Sequence, residues 1–273
     1  MPLLWLRVAL LFYSVGLLYS LAAVSRPCTF LSKIVVPFTG LGMCFHLVSL
    51  VESAMISGHL SLALMSIHES ESLLAFLILV AFMVAFVAYR TLSPGMFMFP
   101  LAFLLSFASS LAQQPVPLTS PGVRSGWIFI HVSLIFTGYA ALFLSFAASL
   151  MYLVQERTLK SKRASAWLSR LPALQVIDDI GYRALLLGFP FMTLGLLAGS
   201  VIAQARFGPT YFSDPKVLLS LLMWVVYMVL LYARWTSGLR GRKAAYLATF
   251  AFIAAVGTWA ANYFSAMHRF VAP

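Results

Sequence analysis

The sequence predicts an all-α fold: a polytopic membrane helix bundle with eight transmembrane helices, both termini on the outer (periplasmic) side, in one integral-membrane domain over residues 1–273. Three observations predict it. Hydrophobic residues make up 62% of the chain and charged residues 9%, with a mean hydropathy of +0.96, too little polar surface to cover a soluble globule. Eight apolar stretches recur, each close to the ~20 residues that cross a ~30 Å hydrocarbon core. Finally, the basic residues alternate from one connection to the next.

The first stretch, residues 3–24, is too long in its apolar part for a secretory leader, and another span follows at once, so it is expected to be retained. The second and third run over 34–57 and 72–90. The fourth, 95–112, opens after "SPG", and the fifth, 126–153, ends near Glu156-Arg157. The sixth, 184–205, carries Pro190 near its inner end, where a bend is expected, and a Gly195/Gly199 pair at the spacing that lets a neighbouring helix approach closely. The seventh and eighth cover 216–235 and 245–266, and the short connections leave no room for a separate soluble domain.

Orientation follows from the cations. The connections after the odd-numbered spans hold Arg26 and Lys33; Arg90; Arg157, Lys160, Lys162, Arg163, Arg170 and Arg183; then Arg234, Arg240, Arg242 and Lys243. The alternate side holds only Arg124, Arg206, Lys216 and Arg269. The positive-inside rule therefore puts both termini outside. The net charge of +11 is thus a topology signal that also meets lipid headgroups, and no nucleic-acid partner is expected. Neither Cys28 nor Cys44 reaches the oxidising side in this topology, and the two form no CxxC pair, which argues against thiol-disulfide chemistry.

With orientation fixed, the histidines sort by depth. His131 lies about 7 Å along its helix from the outer end, at ~1.5 Å per residue. His268 falls just past the outer end of the eighth span, and His59 and His68 fall in the outer connection between spans two and three. His46 alone is deep, near the bilayer middle. An interfacial histidine is ordinarily an anchor or a satisfied hydrogen-bonding group; an ionisable group at mid-membrane is a functional hypothesis by default, with an imidazole bonded to a neighbouring helix as its structural counterpart.

The chemistry these residues can perform is narrow. The seven acids are scattered, and there is no HExxH, phosphate loop or GxSxG elbow, so no catalytic residue is assigned. A zinc site would need closely spaced ligands, and none is visible. Haem needs less: axial imidazoles, an apolar slot and cations for its propionates. The connection "QARFGPTYFSDPK", residues 204–216, sets Phe207, Tyr211 and Phe212 beside Arg206, Asp214 and Lys216 on the outer side. Such a loop is a platform for a flat macrocycle, and equally the look of an interfacial aromatic belt.

Five stretches, taken in order, carry a resemblance: "WIFIHVSLIFTGYA", "LPALQVIDDIGYRALLLGFPFMTLGLLAG", "FGPTYFSDPKVLLSLLMWVVYMVLLYAR", "GLRGRKAAYLATFAFIAAVG" and "NYFSAMHRF". Together with "SIHESESLLAF" before them, they resemble the cytochrome c assembly family of membrane proteins, which includes CcsA and its HemX-like and YpjD-like relatives. The chain looks closest to the short YpjD-like members of the bacterial cytoplasmic (inner) membrane. In that family a loop of the form WGxxWxWDPKE holds haem and two flanking outer histidines are its axial ligands. The resemblance carries those ligands onto His131 and His268 as ligands of the haem iron, and the loop onto Phe207 to Val217. It also makes His46 similar to the family's intramembrane histidine. This chain departs at the loop tryptophans, replaced by Phe207, Tyr211 and Ser213, and at Tyr232, which stands where CcsA has a second intramembrane histidine. The function implied is non-covalent binding and handling of haem in support of cytochrome c assembly, with an apocytochrome or other assembly proteins as partners. Two other readings stay open: a regulator whose basic loop 157–183 binds an enzyme of tetrapyrrole synthesis, and a transporter of another substrate using His46 and Glu52.

Overall fold

A computed structural model describes residues 2–25, 29–56, 67–111, 126–161 and 171–261. Among these it contains eight α-helices and no strand: α1 (Pro2–Ser25), α2 (Thr29–Ile56), α3 (Ile67–Tyr89), α4 (Gly95–Ser110), α5 (Gly126–Lys160), α6 (Leu174–Phe207), α7 (Pro215–Thr236) and α8 (Arg242–Ala260), with a 3₁₀ segment, Gly208–Ser213, between α6 and α7. Each predicted span has its helix. Seven are long and apolar enough to cross a membrane, and α4, with 16 residues, is shorter. The chain is therefore a multi-pass helical membrane protein.

Two helices run past their predicted ends. α5 continues beyond 153 to Lys160, and α6 begins at Leu174, well before 184. The charges expected to stop them are instead paired one turn apart, Lys160 with Glu156 at 2.7 Å and Arg183 with Asp179 at 3.0 Å, a spacing that supports a helix. At ~1.5 Å per residue, the 35 residues of α5 are ~52 Å long, so they outrun the ~30 Å hydrocarbon core.

The chain divides into two compact units. One holds residues 1–126 with 165–171, the other residues 127–164 with 172–273. In the first, α1 packs on α2 and α4, and α3 on α4 and α2. Lipid tails are as apolar as leucine, so such contacts rest on close packing rather than on escape from water. Small residues create the space: a side chain at Gly16 would strike the Phe99 ring, and one at Gly42 would strike Tyr13 and Phe12. Phe99 then stacks on Phe82 with ring centroids 4.5 Å apart.

The second unit centres on Leu142, Leu185, Met192, Met223, Tyr227 and Leu230, closed by the alanine face of α8 through Ala248, Ala251 and Ala255. Those alanines recur every three or four residues and so share one face. In the middle of the unit the Trp224 indole N–H donates to the Thr193 hydroxyl at 2.8 Å, and its ring stacks on Phe189. Between α5 and α6 the small residues form a ladder. Gly181 meets Ala148, Gly188 meets Ala141 and the Gly138 carbonyl, Gly195 meets Ile135, and Gly199 meets His131.

Candidate functional site

The last rung of that ladder holds the first candidate ligand. His131 is seated against α6, where a Cβ added to Gly199 would lie 2.5 Å from its Cε1 and 2.8 Å from its Nδ1. Only hydrogen fits there. One turn back, the Gly195 carbonyl accepts a hydrogen bond from His131 Nδ1 at 2.7 Å. A carbonyl can only accept, so Nδ1 carries the proton, and in the neutral ring the lone pair falls on Nε2. Nε2 makes no hydrogen bond among the described residues. A backbone acceptor on one ring nitrogen is the arrangement that orients a histidine and raises its basicity as a metal ligand at the other. The paired glycines of α6, read in the sequence as a packing device, therefore also form the seat of this imidazole.

The loop that follows α6 reaches the same neighbourhood. Its 3₁₀ turn starts at Gly208, whose φ of +61° suits glycine, and ends at Asp214. The Asp214 carboxylate is buried and accepts from the Lys216 backbone N–H at 2.9 Å, capping the start of α7. Pro215, in the first turn of α7, needs no hydrogen-bond partner there. The conserved-looking "DPK" of the sequence is thus, first, a helix start. Lys216 lies close enough for its charge to act on the His131 ring. Tyr211 is buried, with its ring centroid 4.1 Å from that of Phe212, while Phe212 is 52% exposed and Phe207 43% exposed. The loop therefore offers open aromatic faces beside a cation, within the unit that holds His131.

His46 sits in the other unit and is bonded on both sides. Its ring is fully buried, with Nδ1 3.1 Å from the Tyr13 hydroxyl and Nε2 2.7 Å from the Ser72 hydroxyl. The Phe76 ring meets it edge-on at 5.6 Å. One nitrogen donates, the other accepts, and each hydroxyl can serve either role. As arranged, the ring has no lone pair left for iron.

Of the remaining candidates, His268 lies outside the described residues, and Arg206 belongs to the last turn of α6 by its backbone. No group of three or more His, Cys, Asp or Glu side chains that could hold a metal ion occurs among the described residues. The sequence reading missed one buried pair. Arg234 near the end of α7 is 8% exposed and donates to Asp178 of α6 at 2.7 Å, over the Tyr182 ring at 4.8 Å. The Gly241 N–H, at the start of α8, donates to the other Asp178 oxygen at 3.4 Å. One carboxylate thus ties the ends of three helices together. The signal available was only an acid in an otherwise basic stretch.

A family model described as "Cytochrome C assembly protein" matches residues 54–256. That range takes in His131 and the loop 207–216; His46 lies before it and His268 after it. Similar curated proteins carry the name "Cytochrome c biogenesis protein CcsA". That of Heterosigma akashiwo is 29% identical over 220 residues, covering 67% of this chain and 68% of the relative. The protein from Gloeothece citriformis is 29% identical over 237 residues, covering 69% and 72%, and that from Chlorella vulgaris 28% identical over 254 residues, covering 79% and 80%.

Proposed function

The chain belongs to the cytochrome c assembly protein family, and from that premise we propose that it binds and handles haem, without covalent attachment, at the outer face of the bacterial cytoplasmic membrane, in support of cytochrome c biogenesis. The observation that carries this reading is the His131 seat: a ring nitrogen committed to the Gly195 carbonyl at 2.7 Å and the other left uncommitted. His131 would be one axial ligand and His268 the other. Phe207, Tyr211 and Phe212 would supply flat apolar contact, and Lys216 with Arg206 the positive charge that propionates require. Asp214 acts through the loop, by holding the start of α7 in place. Bound haem would supply a redox-active iron; the chain's own part is to orient the imidazole, cover the ring and keep water from it. The apocytochrome or other assembly proteins would be the partners. The family match lends no support to the regulator or transporter readings.

The test is the absorption spectrum of the detergent-purified full chain after expression with ample haem. A Soret band should be present. His131→Gly should abolish it or change its ligation, and added imidazole should restore the parent spectrum by filling the vacated position. No band in the parent protein sinks the proposal. Topology has its own check: a reporter active only outside the cytoplasm should work when fused after Pro273 and stay silent in the loop near Lys162.

A further inference from the structure

At the far end of the second unit from His131, two arginines from different helices converge on one tyrosine. Arg157, near the end of α5, and Arg242, at the start of α8, each point an Nη2 at the Tyr246 hydroxyl, at 3.5 and 3.2 Å. The Arg242 guanidinium also lies 5.4 Å from the centre of the Tyr246 ring. Two like charges held within reach of the same hydroxyl repel each other. The acid beside them, Glu156, acts on Arg242 only through space, because its carboxylate is held by Lys160 at 2.7 Å. Among the described residues no carboxylate is ion-paired with Arg157 or Arg242. No side chain caps the start of α8 either, so the positive end of its dipole points the same way. The cluster is short of an anion.

What lies beside it narrows the anion's class. Phe250 and Ile253 follow Tyr246 on the same face of α8, one and two turns on, and both are 60% exposed. On α5, Val154 is exposed one turn before Arg157. A positive, hydroxyl-bearing pocket thus opens onto an apolar track running into the membrane span. A soluble anion would use the first feature and leave the second idle.

We propose that Arg157, Arg242 and Tyr246 form a binding site for the phosphate of an anionic phospholipid, whose acyl chain lies along Phe250 and Ile253. The two guanidinium groups donate to the phosphate oxygens, as charge-assisted hydrogen bonds, and the Tyr246 hydroxyl donates to the same group. The lipid supplies the missing charge and fixes the end of α5 to the start of α8. This site is independent of the haem reading and stands or falls without it.

Native mass spectrometry of the detergent-solubilised full chain tests it, with phosphatidylglycerol as probe and phosphatidylcholine as reference. The parent protein should retain phosphatidylglycerol selectively, and Arg157→Gln with Arg242→Gln should weaken that retention about tenfold, as losing one charge-assisted contact predicts. Arg157→Lys with Arg242→Lys keeps the charge and loses the planar fork, so retention should fall between the two. Lys33→Gln with Arg183→Gln removes as much charge from other exposed sites and should leave retention unchanged. Equal loss in that control would mean that bulk charge alone draws the lipid, and the site would be refuted. Complete release of the bound lipid by millimolar inorganic phosphate would show a site for the anion alone, and the lipid assignment would be wrong.

Discussion

His46 and His131 are the same residue in two different chemical states of readiness. His46 is fully buried between a tyrosine and a serine hydroxyl, which can trade donor and acceptor roles with it. His131 is fixed by a carbonyl that can only accept. The first arrangement closes the ring; the second opens it, because it leaves a lone pair on the far nitrogen. Depth alone ranks the two the other way, since the deeper histidine is the costlier to keep. What separates a structural imidazole from a ligand is the number of its nitrogens already spoken for.

The strongest way to break this comparison is to exchange the fates of the two residues. His131→Gly should remove the haem band, or convert it to another ligation state, and His46→Gly should leave it in place. The reverse outcome would falsify the assignment of the outer histidine. Next in size is Gly199→Val, which keeps the ligand and spoils its seat. A Cβ there would sit 2.5 Å from His131 Cε1, so most of the band should be lost, and added imidazole should bring back only what the displaced ring no longer supplies. Full retention of haem would mean that the seat is irrelevant to binding.

His46→Leu sharpens the contrast from the other side. It leaves the buried Tyr13 and Ser72 hydroxyls short of a partner, at a cost of about 1–3 kcal/mol. Thermal unfolding in detergent should therefore begin lower while the haem spectrum per folded protein stays unchanged. A shifted spectrum at unchanged stability would make His46 a participant rather than a strut. Smallest is Tyr211→Ala with Phe212→Ala, where loss of aromatic contact worth about 0.5–1.5 kcal/mol should shrink the band up to about tenfold without moving it. A band that moves would show the loop supplying a ligand.

The helices were legible because their signal is summed over many residues. All eight spans stand where apolar runs predict them, and the errors fall at ends such as Leu174 and Lys160, where a local pair of opposite charges extended the helix past an expected stop. His131 was legible as a candidate by depth and resemblance. Its readiness was not, because that depends on a backbone carbonyl sixty-four residues away in sequence, which no side-chain pattern announces. The Tyr13–His46–Ser72 contact was hidden for the same reason: three helices contribute one group each. Asp214 shows the opposite case. Its place before Pro215 and Lys216 resembles a binding motif, yet the same three residues are what a helix start demands. His268 lies outside the described residues.

The ladder between α5 and α6 has a further consequence. Gly181, Gly188 and Gly195 are spaced seven residues apart, and each accepts a specific neighbour from α5 where a larger side chain would collide. Helices joined this way cannot slide smoothly past each other, since any small displacement drives a side chain into a place that admits only hydrogen. The two helices mesh like a rack with fixed stops, and His131 rides on that rack. Its distance from the membrane surface is therefore set in whole steps by glycines as far off as the inner end of α6, and a substitution at Gly188 or Gly181, far from the imidazole, would move the ring by changing the stop on which it rests.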